Sequence, residues 1–460
     1  MQDDTSIKKA ASEHLWLHFA PLPGNEGADL IVIERGEGLY VWDTSGNRYL
    51  DGLAGLFVTQ VGHGRQEIVQ AMAKQAETLA YYPMFGFVHP AGVALAERLA
   101  GLAPGDLNRV FFVSGGSEAI ESAWKLARQY YLQIGQPERH KVIARKLSYH
   151  GTSLGALAIT GHEAIRQPYL PMISNQTRHA ANTNRLHCTM CAGQVACTLA
   201  CADDIEAAIL AEGPASVAAV VVEPVQNAGG CLTAPPAYFT RVREICDRYG
   251  VLMISDEVLT GFGRLGDWFG ANRLGYQPDM IAFAKGATSG YAPLGGVLIS
   301  DRIAEPFAAE GSTFLHGFTF GGHPVSCAAG LANLDLMEAE GLPARVRTFE
   351  DEFQAHLDTL RDLPIVADVR GMGYFWAVEL TKGGEAFSAE ESTWLTKQFL
   401  PKRMLELGLI CRADNRGDPV IQLAPPLTAG PEEFAQMTAV IRQALVEAWR
   451  KIRRRRPRAA

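Results

Sequence analysis

Cysteine is scarce in this sequence: eight residues in 460, too few for a disulfide scaffold. Four of them crowd between Cys188 and Cys201, while Cys231, Cys246, Cys327 and Cys411 are scattered and read as small core residues. No apolar run approaches the roughly 18 residues that a spanning helix needs. The opening stretch MQDDTSIKKAASEH has no apolar signal core. The expectation is a cytoplasmic protein that does not engage a membrane. Basic charge is also in short supply, with 42 Lys and Arg against 50 Asp and Glu and a net charge of −8. Seven of those cations (Arg450, Lys451, Arg453, Arg454, Arg455, Arg456 and Arg458) sit in the last eleven residues, leaving 35 against 50 elsewhere. The body therefore does not read as a nucleic-acid binder, and the basic end reads as a solvated, frayed terminus. What is plentiful is apolar residues, at 47%, and glycine, at 46, which together imply a large core and many tight turns.

The middle of the chain alternates short β-branched runs with helix-length amphipathic segments. Buried strands are expected at Val110–Val113, Val142–Ala144, Val217–Val222, Val251–Ile254, Met280–Phe283 and Val297–Ser300. Helices are expected at Glu118–Tyr130 and Ala237–Tyr249; in the first, Ala119, Ile120, Ala123, Trp124 and Ala127 share a face. Such alternation means an α/β domain on a mainly parallel central sheet flanked by helices, placed at 61–335. Residues 38–60 read as a hairpin with Thr44–Asn47 as its turn. Beyond 336 come helices at Phe349–Leu360, Glu390–Leu407 and Pro431–Ile452 and a strand at Tyr374–Leu380. Segments 1–60 and 336–460 are expected to pack together as a smaller α+β domain. No internal repeat interrupts this plan.

Three segments carry chemistry. Lys285 directly follows the apolar run Met280–Ala284 and opens a Gly-rich stretch. Beside a buried sheet, a lysine loses charge stabilisation and gains nucleophilicity, whereas a lone strand-end lysine is ordinarily solvated. Asp256 ends another buried run, Val251–Ser255, and alone it reads as a cap or turn carboxylate. Together they match the needs of a pyridoxal phosphate site: a lysine to bind the cofactor and a carboxylate against the ring nitrogen, keeping that nitrogen protonated. A phosphate cradle is available where Arg109–Val113 turns through Ser114, Gly115, Gly116 and Ser117 into a helix start.

With SGGSEA, SYHG, VVEPVQNAGG, SDEVLTGFGR, FAKG and HGFTFGGHP in this order, the chain from about Gly38 to Trp449 resembles the class III aminotransferases. These are fold-type-I pyridoxal-phosphate enzymes, and the closer likeness is to the amine:pyruvate or ω-amino acid:pyruvate branch. The resemblance implies that Lys285 holds the cofactor and moves the proton, and that Asp256 meets the pyridine nitrogen. It implies that Val258 packs under the ring, Tyr149 stacks on its other face, and Ser114, Gly116 and Ser117 bind phosphate. Thr319 is implied to reach the phosphate of a neighbouring subunit, making a homodimer, or a dimer of dimers, with shared active sites. The implied activity is ping-pong transfer of an amino group from a small amine or ω-amino acid donor to a keto acid, pyruvate first among them. Aminomutase, lyase and non-catalytic cofactor-binding readings remain open on the same fold.

For the substrate, the resemblance implies that Arg412 pairs with a carboxylate and withdraws for an amine, a task suited to a guanidinium fork. Leu56, Phe57, Phe85 and Ala228 fall where the family lines its pocket. His150 is given no chemistry. Glu223 is either a strand-end acceptor or an arginine partner. Leu259 stands where ornithine and 4-aminobutyrate aminotransferases carry glutamine, which weakens those two assignments. In the Cys188-x2-Cys191-x5-Cys197-x3-Cys201 pattern, with His187 alongside, the first pair fits a metal knuckle but the later spacing departs from standard zinc patterns. It reads as a cysteine-rich surface loop, free or redox-labile, with a structural metal as the alternative and no catalytic metal expected.

Overall fold

The computed structural model describes residues 3–22, 30–191, 197–309 and 311–455. Its centre is a seven-stranded sheet in the order Arg109–Val113, Gly295–Ile299, Met280–Phe283, Leu252–Asp256, Val217–Val222, Lys141–Arg145, Thr177–Ala180. The five strands from Met280–Phe283 to Thr177–Ala180 run parallel, and Gly295–Ile299 is antiparallel to both its neighbours. Val217–Val222 is buried at every position, which explains its unbroken apolar sequence: a parallel strand covered on both faces has no solvent side to alternate toward. The helix Gly116–Gln133 buries Ala119, Ile120, Ala123 and Ala127 as its periodicity requires. Trp124 stays at the margin, where its Nε1 donates to the His140 carbonyl at 2.8 Å.

The two ends of the chain meet in one sheet. Tyr40–Asp43 and Arg48–Asp51 form the expected hairpin, but an additional strand, Ile33–Glu37, precedes it. Leu409–Ile410 then joins the far edge parallel to Arg48–Asp51, with Leu409 opposite Leu50. A second four-stranded sheet is antiparallel, in the order Val366–Met372, Phe375–Leu380, Val420–Leu423, Arg412–Asp414.

The helix expected over Glu390–Leu407 is not uniform. It runs as Ala389–Thr393, a π-helical stretch Trp394–Phe399, and Leu400–Glu406. Pro401 supplies the reason: it has no N–H to donate and its ring clashes with the carbonyl four residues back, so the preceding turn widens. Ahead of it, Ser388 and Glu391 form a reciprocal capping box. The final helix continues as Pro431–Arg455, so the basic residues to Arg455 are helical where fraying was expected. Arg456 and Arg458 lie outside the described residues. No helix among the described residues is long and apolar enough to cross a membrane.

Candidate active site

Parallel strands place their C-terminal ends on one edge of the sheet, and loops beyond that edge are where chemistry collects in α/β folds. Asp256, the last residue of its strand, pairs across the ladder with Ala282 of the strand leading to Lys285. Lys285 begins a short 3-10 turn and has φ 43°, a left-handed conformation that costs a non-glycine residue on the order of 1–3 kcal/mol and recurs at functional sites. Burial pushes its ammonium down; Asp256 pulls it back, Arg412 pushes it further, and it settles at about 8. An appreciable neutral, nucleophilic fraction therefore exists near neutral pH.

Asp256 is itself nearly fully buried. Its Oδ2 lies 2.6 Å from His150 Nδ1, and its Oδ1 accepts from the Val258 N–H at 3.1 Å. His150 is buried, and its Nε2 has no hydrogen-bond partner among the described residues. The sequence reading gave this histidine no chemistry; the fold places it directly against the carboxylate, 106 positions away. Glu223 is also buried, and burial holds its carboxyl above the ordinary value against the opposing pull of His150 and Arg145. Its Oε2 accepts from the Asn227 N–H at 3.0 Å, while Arg145 donates to its backbone carbonyl at 2.6 Å. The side chain is thus a strand-end acceptor.

The anion cradle takes shape at the start of Gly116–Gln133, whose first N–H groups have no intrahelical acceptors. Gly116 must be glycine: a Cβ there would lie 2.8 Å from Val258 Cγ1. Ser117 Oγ accepts from the Thr152 N–H at 3.2 Å, which ties the cradle to the loop carrying Tyr149 and His150. Gly151, at φ 119°, passes so close that a Cβ would sit 2.2 Å from that oxygen. Ser114 donates its N–H to Glu118 Oε2 at 2.7 Å.

The C-terminal strand Arg412–Asp414 delivers a charged cluster to the same region. Arg412 Nε lies 3.3 Å from Asp414 Oδ2, and Arg416 Nε donates to that oxygen at 2.7 Å. Burial pushes the Asp414 carboxyl up, but Arg416 and Arg412 outweigh it and hold the group at about 2. The Arg416 guanidinium carbon stands 5.6 Å from the Tyr149 ring centroid, a cation–π contact. Arg416 and Asp414 were not singled out from sequence; the signal available was a second arginine in a short charged stretch.

Among the expected pocket residues, Phe57 turns into the core against Phe375, with its ring centroid 5.8 Å from Lys285 Nζ. Leu56 points outward and is exposed. Ala228 is fully buried, its carbonyl taking a hydrogen bond from Gln226 at 3.3 Å. Phe85 and Thr319 form a separate exposed group. Gly317 lies close against the Phe85 ring, and the Thr319 carbonyl accepts from the Tyr81 hydroxyl at 2.9 Å.

Away from this edge, the Cys191 thiol is lowered to about 7, chiefly by the Thr198 hydroxyl 3.4 Å away, with Cys188 and Cys197 also in reach. Burial raises the Cys201 thiol to about 11. His187 is not drawn to the cysteines: its Nε2 lies 2.6 Å from Glu379 Oε1 and 3.2 Å from Asp418 Oδ2. Arg370 meets the other Glu379 oxygen at 2.5 Å, so this group reads as an ion-pair network already supplied with a cation.

A buried amine, a buried carboxylate, an uncommitted helix start and an aromatic fit the donor set that pyridoxal phosphate requires. Comparison with known proteins agrees in kind. Residues 23–445 match the family model described as aminotransferase class-III. The chain is 50% identical over 453 residues to a probable aminotransferase of Mycobacterium tuberculosis, covering 98% of this chain and 96% of that one. It is 36% identical to the putrescine–pyruvate aminotransferase of Pseudomonas aeruginosa, over 90% of both chains. Among solved structures it is similar to a thermostable (S)-enantioselective omega-transaminase from Thermomicrobium roseum. That match has a TM-score of 0.92 at 37% identity and covers 97% of this chain and 99% of the other. An amine transaminase from an uncultivated Pseudomonas species, in its PLP-bound form, superposes with a TM-score of 0.88 at 34% identity, covering 95% of this chain and 99% of that one.

Proposed function

The chain belongs to the class-III aminotransferases, a pyridoxal-phosphate-dependent family, and is a transaminase; from that footing we propose that it moves amino groups from a small amine or ω-amino acid to pyruvate. The observation that carries the reading is the convergence of Lys285 and the Asp256–His150 pair at one edge of the seven-stranded sheet with the Arg412–Asp414–Arg416 cluster from the antiparallel sheet beside it. The pyruvate half rests also on the putrescine–pyruvate relative, and the amine half on the omega-transaminase and amine transaminase structures.

Pyridoxal phosphate, when bound, supplies the electron sink for the pair released as the substrate Cα–H bond breaks. Lys285 would hold it and, once its amine is released by the incoming substrate amine, would carry that proton, a role its lowered ammonium allows near neutral pH. Asp256 presents a carboxylate to the ring nitrogen, and His150 fixes that carboxylate in place. Gly116 and Ser117 offer N–H groups to the phosphate, and Val258 and Tyr149 confine the ring. Thr319, exposed in this chain, serves the phosphate site of a second copy, so the working unit is a homodimer. Arg412 takes the keto acid carboxylate. The same reading divides the chain near residues 60 and 335 and leaves the enzyme in the cytoplasm.

Two-substrate kinetics test the proposal, with an arylalkylamine donor and pyruvate. Parallel double-reciprocal lines with alanine as product are expected; no alanine from any donor in an amine panel sinks the pyruvate assignment.

A further inference from the structure

We infer that Asp414 is a built-in carboxylate that neutralises one of two arginines at the substrate site and thereby selects monocarboxylate over dicarboxylate keto acids. This rests on the transamination proposed above and adds to it a specificity residue.

Arg412 and Asp414 are two apart on one strand, so their side chains share a face. The chain then turns back, and Arg416 grips the same carboxylate twice. Its backbone N–H donates to Asp414 Oδ1 at 3.1 Å, and its Nε donates to Oδ2 at 2.7 Å. Asp414 is 2% exposed in its side chain, Arg416 13% and Arg412 29%, so the three charges interact largely out of water. The cluster, on the antiparallel sheet, faces the active edge. Both guanidiniums act on Lys285, Arg416 stands over Tyr149, and Gln422, the partner of Arg412 across the ladder, donates to Asn227 beside Ala228.

Two cations against one fixed anion leave a surplus of one positive charge. Arg416 also brings its buried Nη2 within 2.6 Å of Asp414 Oδ2, so this guanidinium is committed to the carboxylate. With Arg416 held against Asp414, the surplus charge leaves the cluster capacity for one incoming carboxylate, which accepts from the more exposed Arg412. A keto acid with a second carboxylate would bring it against Asp414, and like charges brought together in a largely buried site are strongly disfavoured. Removing the charge without changing the shape frees the second guanidinium.

The test compares wild-type and Asp414→Asn holoenzymes with pyruvate and with 2-oxoglutarate as acceptors, using one amine donor. The 2-oxoglutarate-to-pyruvate ratio of kcat/KM is expected to rise about 10- to 100-fold, through the KM of the dicarboxylate, as befits one added charge-assisted pair. Arg416→Gln in the Asp414→Asn background should abolish that gain. A ratio within about twofold of wild type, or equal losses for both acceptors, overturns the inference and leaves Asp414 a loop staple. Wild-type holoenzyme supplies a second measurement that needs no variant: butyrate should inhibit competitively against pyruvate more tightly than glutarate, and the reverse order overturns the inference. A wild-type enzyme that never uses pyruvate sinks the proposed acceptor instead. Inhibition is then read against whichever keto acid is used, so the two failures stay distinct.

Discussion

Capture of pyridoxal phosphate by cofactor-free enzyme should follow the titration of Lys285. The nucleophile is the neutral amine, and burial brings the ammonium from the ordinary lysine value of 10.5 to about 8. At pH 7 a group at 8 is about one-tenth neutral, whereas an unperturbed lysine is neutral in roughly three parts in ten thousand, a difference of about 300-fold. The rate of cofactor capture should therefore climb about tenfold per pH unit below 8 and flatten above it, measured by stopped-flow absorbance as the coloured adduct forms. The neighbours give two opposed shifts. Asp256 holds the ammonium up, so Asp256→Asn should move the inflection to lower pH; Arg412 pushes it down, so Arg412→Gln should move it to higher pH. Stability carries the same signature with its own sign. Between about 8 and 10.5 the unfolded chain keeps a proton that the native cofactor-free chain has lost, so this group makes stability rise with pH through that window. Its cost is fully present below about 8. A capture rate independent of pH between 6.5 and 9, or one inflecting near 10.5, would refute the assignment of Lys285 as a buried, perturbed amine. Two variants shifting the inflection in the same direction would refute the electrostatic account of it.

Arg412→Ala should raise the pyruvate KM by about 10- to 100-fold, the range for losing one partner of a charge-assisted pair, while half-reaction rates with an arylalkylamine change much less; equal losses would make Arg412 structural. His150→Asn shortens the side chain that holds Asp256 and should lower kcat by on the order of tenfold or more, with the coloured band shifting as the carboxylate loosens; an unchanged spectrum and rate would dismiss the pair. Arg264 is fully buried and donates to the carbonyls of Tyr374 and Pro425 and to Gln60. Arg264→Ala should therefore destabilise the fold by roughly 3 kcal/mol or more in denaturant unfolding; a change under about 1 kcal/mol would contradict that role. Serine at Cys188, Cys191, Cys197 and Cys201 together should leave turnover intact, and about one zinc per chain by metal analysis of the purified protein would overturn the reading of a free cysteine loop.

What the sequence determined by itself is local or covered on all sides. Val217–Val222 and Met280–Phe283 are strands residue for residue, because a central parallel strand admits only apolar side chains at every position. Lys285, Asp256 and Gly116 were legible because each sits where an apolar run stops, and strand ends in such a sheet share one edge. What the tertiary structure decided depends on sheet order and on chain returns that leave no periodic trace. The antiparallel course of Gly295–Ile299 and the pairing of Leu409 with Leu50 are contacts between distant segments. His150 follows a strand two positions away from that of Asp256, and only the crossovers bring its imidazole within 2.6 Å. Nothing in its sequence neighbourhood marks Asp414 apart from the charged residues around it. A strand register puts it on the face of Arg412, a turn brings Arg416 back over it, and burial makes those charges matter to one another.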